Sequence, residues 1–129
     1  MLILAMDTTG KSVSAAVLED SRVLAERYAD CGLTHSQTLM PMVDGALSDA
    51  RAAVGDVSAI VSVIGPGSFT GVRIGVSAAK AMAQALSVPL LGVNTLDCIA
   101  HAMRSFPGLL CPVMDARRKQ VYTALYRGG

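Results

Sequence analysis

The chain has 129 residues, which is long enough for one compact domain and short for two. Its formal net charge is +1, and it contains no Trp, 3 Tyr and 2 Phe. It therefore offers neither a basic surface for nucleic acid nor aromatic platforms for stacked bases, and direct binding of DNA or RNA is not expected.

The cysteines and the apolar segments indicate the cellular compartment of the protein. Cys31, Cys98 and Cys111 are odd in number and show no CxxC spacing, which argues against a disulfide framework or a zinc site. We expect buried thiols in a reducing compartment. The opening MLILAMD lacks the positive region of a signal peptide, and no stretch approaches the ~20 uninterrupted apolar residues of a membrane span. These features predict a soluble, cytoplasmic protein without a membrane partner.

The first thirty residues predict three antiparallel strands. LILAMDTT (2–9) is a continuous apolar run, typical of a central strand that is buried on both faces. A tight TGK connection leads into a second strand at 12–19, so the pair is predicted to form a hairpin. A third strand is predicted at 22–30.

Helices and strands alternate along the next part of the chain, and capping or helix-breaking residues mark their ends. The predicted elements are a helix from Thr34 or Ser36 to about Arg51, a strand at 59–65, a helix at 72–87, a strand at 90–93 and a helix at 95–104 capped by Thr95. This order predicts an α/β fold with a mixed sheet flanked by helices. The order βββαβαβα matches the ribonuclease-H-like lobe of the actin-like ATPase superfamily, a match of fold that says nothing about activity.

An internal repeat points to a second lobe. MDTTGKSVSAAVL (6–18) and MDARRKQVYTALY (114–126) share five residues at a single offset, and both read as strand, Asp, turn, strand. Proteins of that superfamily contain two such halves in tandem. We therefore expect a first lobe over 1–108 and the opening hairpin of an incomplete second lobe over 109–129, so that the chain is interpreted as a fragment or a truncated form.

The turn after the first strand is one candidate nucleotide site. TTGKS (8–12) is not a P-loop, because Ala5 stands where the other glycine belongs and a strand follows where a helix is needed. Asp7, Thr8 and Thr9 fit the hairpin phosphate loop of actin-like proteins, and they fit an ordinary polar turn equally well.

The segment GPGSFTG (65–71) is the other candidate. Gly65, Gly67 and Gly71 would let the backbone approach an anion closely, with Ser68 or Thr70 as the cap of the following helix. The alternative, which we favour, is a turn that starts this helix and seats it on the sheet. The segment is not a nucleophile elbow, because GxSxG glycines are absent around Ser68.

The remaining polar residues form no convincing site. His35 and His101 are isolated from any paired carboxylate, and we expect each to be a cap-region or surface histidine. Asp115 with Arg117 and Arg118 is expected to form a charged, solvated hairpin turn.

Two helices carry more apolar side chains than one sheet face covers. Apolar residues spread beyond one face in 36–51 and nearly encircle the helix in 72–86. We therefore expect both helices to pack against helices of another chain; the alternative is that they pack only on each other and on the sheet. The predicted interface residues are Leu39, Met42, Val43, Ala46, Leu47, Ile74, Val76, Ala79, Met82 and Ala83.

Five segments, in this order and spacing, resemble the TsaB (YeaZ) family over essentially the whole chain: LAMDTTGKSVSAAVL, HSQTLMPMV, GPGSFTGVRIGVSAAKAMA, PLLGVNTLDCIA and MDARRKQVYTALY. The resemblance implies an accessory protein of bacterial tRNA threonylcarbamoyladenosine synthesis that stabilises the transferase TsaD through a helical bundle and works with the ATPase TsaE. It also implies self-association through the same helices, and contact with tRNA only through the complex.

The resemblance further implies a catalytically silent subunit without a metal. The transferase holds a metal with two histidines, spaced four apart, after a strand that ends in Val-Asn; here the strand ends in Val93 and Asn94, and the two positions are Thr95 and Ile99. A peptidase finds no support. The alternative is an ATPase or phosphotransferase lobe that uses Asp7 and the glycine loop. No cofactor is predicted, although weak binding of ATP or ADP at a subunit interface is left open.

Overall fold

The computed structural model of the chain describes residues 1–30, 32 and 34–129. Cys31, one of the three predicted buried thiols, lies outside these residues. The strands are β1 (Leu2–Asp7), β2 (Val13–Glu19), β3 (Arg22–Ala29), β4 (Ala59–Val63), β5 (Leu90–Val93), β6 (Gly108–Leu110), β7 (Val113–Arg117), β8 (Gln120–Thr123) and β9 (Tyr126–Gly128). The helices are α1 (His35–Asp49), α2 (Phe69–Leu86) and α3 (Thr95–Ala102), with a 3₁₀ turn at Val54–Asp56.

The first five strands form one mixed sheet in the order β3-β2-β1-β4-β5. β1 pairs antiparallel with β2 and parallel with β4, and β5 pairs parallel with β4. The predicted α/β, ribonuclease-H-like architecture is therefore confirmed, including the β1–β2 hairpin and the third antiparallel strand.

Strand register places the largest buried side chains on one face of this sheet. Leu4 lies opposite Val17 on one neighbouring strand and beside Ile60 on the other. All three are completely buried. Both long helices pack on this face, α1 over β2 and β3 and α2 over β4 and β1. The main hydrophobic cluster therefore lies on one side of the sheet, and Ala59, Leu96 and Ala100 are buried outside it.

The two helices approach the sheet in different ways. α1 contributes larger side chains to the core, including Leu39 and Val43, each with 1% exposure. The buried residues of α2 are instead Gly71, Gly75, Ala79 and Ala83. Because these residues have little or no side chain, the axis of α2 can lie close to the strands beneath it.

The last part of the chain forms two small antiparallel ribbons, β6 with β9 and β7 with β8. At the end of β7, Asp115 Oδ1 accepts a hydrogen bond from the backbone N–H of Arg117 (2.7 Å). Asp7 Oδ1 accepts the same bond from Thr9 (2.8 Å) at the end of β1. The two hairpins related by the internal repeat therefore share one turn-closing interaction.

One predicted helix start and one predicted cap need correction. α2 begins at Phe69 rather than at residue 72, because the Ser68 side chain accepts a hydrogen bond from the Gly71 N–H and caps the helix there. Asn94, not Thr95, is the cap of α3, since its Oδ1 accepts from the Leu96 N–H at 2.8 Å. None of the described helices has the length and apolar character needed to cross a membrane.

Candidate functional site

The glycine loop between β4 and α2 packs directly on the turn that follows β1. The Ser68 N–H donates to the Thr9 carbonyl at 2.7 Å. In the other direction, the buried Thr8 hydroxyl donates to the Gly71 carbonyl at 2.6 Å. The fold thus brings most of the residues predicted as a nucleotide site into one contact, here called the loop junction: Asp7, Thr8, Thr9, Gly67, Ser68 and Gly71.

Three glycines allow this contact because a side chain at each would collide with the β1–β2 turn. A Cβ atom on Gly67 would overlap the Thr9 carbonyl, and one on Gly71 would overlap the Thr8 carbonyl. A Cβ atom on Gly75, one turn further along α2, would overlap the Thr8 hydroxyl. These glycines are therefore required for the close approach of α2 to the turn. Gly65 has a different role, because its φ of 104° favours glycine.

The polar groups at the loop junction are engaged with one another. Asp7 Oδ1 accepts from both the N–H (2.8 Å) and the hydroxyl (2.7 Å) of Thr9. Ser68 caps α2, and Thr8 and Thr9 are only 1% and 3% exposed. The groups that a phosphate would need thus already satisfy each other, which fits the packing interpretation of the glycine loop better than the anion interpretation.

Two further residues hold the loop junction in place. His35, half-buried at the start of α1, donates from Nε2 to the Gly10 carbonyl at 2.6 Å. Thr95 donates its hydroxyl to the Pro66 carbonyl (2.7 Å) and its N–H to the Gly65 carbonyl (2.9 Å). Sequence reasoning missed both roles, because each contact joins residues more than twenty positions apart.

Thr95 and Ile99 stand at the two positions for which the resemblance implies metal-binding histidines in the transferase family. The hydroxyl of Thr95 is buried and engaged with Pro66. Ile99, one turn further along α3, is 42% exposed and has no ligand atom. Across residues 1–30, 32 and 34–129, no three His, Cys, Asp or Glu side chains cluster as a metal site. His101 is exposed in the last turn of α3, as expected for a surface histidine.

The prediction that the cysteines are buried is wrong for Cys98 and Cys111, which are both exposed. They lie on α3 and in the short connection after β6, elements that little of the chain covers. The Cys98 sulfur is nevertheless partly surrounded by protein. This desolvation, together with the Asp7 and Asp97 carboxylates, raises the pKa of its thiol.

The Tyr126 hydroxyl donates a hydrogen bond to Asp97 and so connects β9 to α3. This hydrogen bond raises the pKa of Tyr126.

The predicted partner interface divides into buried and accessible residues. Six of its ten side chains lie in this chain's own core: Leu39, Val43, Ala46, Leu47, Ala79 and Ala83. The prediction that these six face a partner is therefore wrong; they face the sheet because the small residues of α2 bring the helix pair down onto it. Met42, Ile74, Val76 and Met82 are half-buried, and all but Val76 pack against the core with part of their surface.

The solvent side of α2 is more polar than the sequence suggested. Its exposed residues include Thr70, Arg73, Ser77, Lys80 and Gln84. A shallow depression of about 320 Å³ is lined by Thr70, Arg73, Ile74 and Ser77. The Arg73 guanidinium carbon lies 5.3 Å from the centre of the exposed Phe69 ring, which allows a cation–π contact beside this depression. The outer face of α2 is therefore mixed in chemistry rather than wholly apolar.

The five-stranded mixed sheet, its two helices on one face and the repeated Asp-closed hairpin define a lobe of the actin-like ATPase fold. A ROK hexokinase from Thermus thermophilus has the same fold: its crystal structure matches with a TM-score of 0.59 at 17% identity, over 100% of this chain and 48% of that one. A family model described as TsaD, tRNA N6-adenosine threonylcarbamoyltransferase, matches residues 29–129.

Relatives of higher sequence identity show to which proteins within this family the chain belongs. The tRNA threonylcarbamoyladenosine biosynthesis protein TsaB of Bacillus subtilis is 45% identical over 127 residues, which are 98% of this chain and 56% of that protein. The structure of YeaZ from Pseudomonas aeruginosa matches with a TM-score of 0.89 at 34% identity, over 98% of this chain and 60% of that one. The chain therefore belongs to the family that the TsaD model describes, and within it to the TsaB (YeaZ) proteins. It spans less than two thirds of the length of these relatives.

Proposed function

We propose that this chain is a non-catalytic subunit in the synthesis of N6-threonylcarbamoyladenosine in tRNA. In this role it binds and stabilises a TsaD-like transferase, acts together with a TsaE-like ATPase, and meets tRNA only through the complex. The names of its relatives place those proteins in this biosynthesis. A homodimer through the same helices is the arrangement expected when the transferase is absent.

The observation that carries the proposal is that Thr95 and Ile99 offer no metal ligand at the two positions where the resemblance implies histidines in the transferase. A hydroxyl that is already bonded to Pro66 and an aliphatic side chain cannot hold a metal ion. The loop junction supports the same view, because its polar side chains are already hydrogen-bonded within the junction: Asp7 accepts from Thr9, Thr8 donates to the Gly71 carbonyl, and Ser68 accepts from the Gly71 N–H. A subunit without a reactive centre contributes by binding, and the binding surface becomes the functional site.

The outer side of the helix pair is the proposed contact with the transferase. The depression beside Arg73 and Ser77 is open to solvent, and half-buried Met42, Ile74 and Met82 lie on the two helices that form this side. Specific interfaces commonly combine an apolar centre with a polar rim. The mixed chemistry of this face therefore suits a partner that is bound reversibly.

The test places a bulky cation in the depression. Ser77→Arg is expected to weaken capture of a TsaD-like transferase by about tenfold or more, because a long side chain prevents close packing at the centre of an interface. Ser77 is exposed, so the variant should keep the stability of the parent chain. Ser21→Arg is the matched control: it makes the same change at an exposed position in the β2–β3 turn.

Affinity is measured by surface plasmon resonance with the transferase immobilised. Equal binding by Ser77→Arg and Ser21→Arg would contradict the proposed surface. Calorimetry with ATP and Mg²⁺ separates the proposal from the nucleotide-lobe alternative. Tight binding by the chain alone, with hydrolysis that Asp7→Ala abolishes, would establish an ATPase and overturn the non-catalytic role.

A further inference from the structure

The depression on the outer side of α2 offers hydrogen-bond donors and has only one wall. Its lining residues, Thr70, Arg73, Ile74 and Ser77, all come from α2. Two hydroxyls and a guanidinium therefore lie around one aliphatic side chain, without a negative charge among them. Such a set of groups suits a carboxylate. Because one helix provides the whole lining, a second surface is needed to complete the site.

Arg73 is oriented for an interaction that it does not make within this chain. Its guanidinium carbon lies 5.3 Å from the centre of the Phe69 ring, and its side chain is exposed. The two ion pairs of residues 1–30, 32 and 34–129 both lie elsewhere and do not involve Arg73. The contact with the ring restricts the side chain, so less conformational entropy is lost when Arg73 binds an anion.

The neighbouring helix carries the opposite charge. The carboxylates of α1 are Asp44 and Asp49 and it has no Lys or Arg, whereas α2 has Arg73 and Lys80 and no Asp or Glu. Asp49 is paired with Arg27 of β3 at 2.7 Å. Asp44 precedes it by five residues, so it lies about 140° away around the helix, and it is exposed. The helix pair thus presents an accessible carboxylate on α1 and an accessible guanidinium on α2.

α1 and α2 start at the same end of the sheet and run in the same direction. A Cβ atom on Gly71 would lie 3.2 Å from the His35 ring, so the first turns of the two helices are adjacent. Each helix leaves the end of one of the mutually parallel strands β3 and β4 and leads to the start of the next, β4 or β5. Measured from His35 and Gly71, Asp44 lies about 14 Å along α1 and Arg73 about 3 Å along α2.

This arrangement allows two copies to exchange the charged pair. A two-fold axis perpendicular to the helices reverses their direction in the second copy. If the axis crosses about 8 Å from the start of the helices, close to the middle of the 15-residue α1, Asp44 of each copy comes level with Arg73 of the other. The same contact then forms twice in the dimer.

We propose that the depression beside Arg73 receives Asp44 of a second copy of this chain in a two-fold dimer, so that each copy completes the site of the other. The inference rests on the proposed function in placing the contact on the outer side of the helix pair. A second copy is favoured over a free anion because it supplies the missing wall. It is favoured over an unrelated protein because the charges of α1 and α2 complement each other, and such charges fix the orientation of partners.

The test reverses each charge alone and then both together in the full chain. Asp44→Lys and Arg73→Glu each bring like charges together at both symmetric contacts. Each should therefore weaken dimerisation by about tenfold or more in sedimentation equilibrium at low salt. The double variant has opposite charges again, in exchanged positions, and should dimerise within about threefold of the parent. Both residues are exposed, so all three variants should keep a Tm close to that of the parent.

Asp44→Lys combined with Lys80→Glu is the matched control. Lys80 is the other exposed cation of α2, two turns beyond Arg73, and this double variant has the same net charge as the first one. It should dimerise as weakly as Asp44→Lys alone. Equal recovery in both double variants would mean that net charge governs the association, and would overturn the pairing of Asp44 with Arg73.

Two further results would overturn the proposal: a parent chain that stays monomeric, and a dimer that neither single reversal weakens. Sedimentation requires only this chain, whereas capture by the transferase is measured separately. A transferase complex without a charge-dependent dimer would reject the inference alone. A charge-dependent dimer that does not bind the transferase would reject the proposed function alone.

Discussion

Replacing Gly71 by Ala should destabilise the protein, although the same change in an ordinary helix is stabilising. In a helix interior, alanine is favoured over glycine by about 1 kcal/mol. At Gly71, however, the new Cβ atom overlaps the Thr8 carbonyl, which is backbone and cannot rotate away. Either α2 or the β1–β2 turn must move.

The cost of that movement can be estimated from the contacts it disturbs. Overpacking a rigid site costs about 1–3 kcal/mol. The shift also strains the Thr8 hydroxyl bond to Gly71 and the Ser68 N–H bond to Thr9, each with a net contribution of about 1 kcal/mol. After the gain in helix propensity is subtracted, we expect a loss of about 2–4 kcal/mol, which corresponds to a Tm lower by about 6–16 °C.

Urea denaturation followed by circular dichroism, together with thermal melting, measures this effect. Gly10→Ala is the matched control, because Gly10 lies in the same turn and a Cβ atom there meets no other heavy atom within 4 Å. This control should be neutral or slightly stabilising. If Gly71→Ala proves as stable as Gly10→Ala, close packing does not explain the glycines of this loop. That result would favour the interpretation of the loop as an anion-binding site.

Three further predictions concern a cap, an ion pair and a thiol. Ser68→Ala should cost about 1 kcal/mol in urea denaturation because it removes the cap of α2, whereas Thr34→Ala should cost less, since the Thr34 side chain makes no cap bond to α1. The Arg27 hydrogen bond lowers the pKa of Asp49, so the contribution of this exposed pair is complete above the usual carboxyl pKa and is lost as the pH falls through the lowered pKa of Asp49; the small Tm deficit of Asp49→Asn at pH 7 should begin to shrink below about pH 4 and disappear at still lower pH. Cys98 should react with iodoacetamide at pH 8 more slowly than a small peptide thiol, because its raised pKa leaves less thiolate; mass spectrometry of the alkylated peptide measures the rate, and an equal or faster reaction contradicts the shift.

The order of elements from β1 to α3 was predictable because each element has a local sequence signature. The continuous apolar run of β1 and the Pro after α2 mark elements without reference to the rest of the chain. The predicted start of α2 was three residues late although Ser68 was a candidate cap, because the glycines of 65–71 are typical of a loop. Local chemistry thus predicts which elements exist better than where they begin.

The site was harder to predict because its decisive contacts are non-local. The sequence singled out Asp7, Thr8 and Gly67, but it could not show that Asp7 would bond to Thr9, Thr8 to the Gly71 carbonyl, and that Gly67 would pack against Thr9. The helix interface was overestimated for a related reason. The apolar pattern that includes Leu47 and Ala83 predicts that these side chains are buried. The periodicity of the pattern cannot distinguish burial inside the chain from burial under a partner.

The loop junction has a consequence for which sequences this fold tolerates. Its closest approaches involve the Thr8 and Thr9 carbonyls, and every amino acid possesses that group. Enlargement at Gly67 or Gly71 therefore cannot be compensated by trimming a neighbour, as a crowded side-chain core usually can. A random-mutagenesis library should recover second-site suppressors for defects among the leucines and valines of the interior, and none for these two glycines.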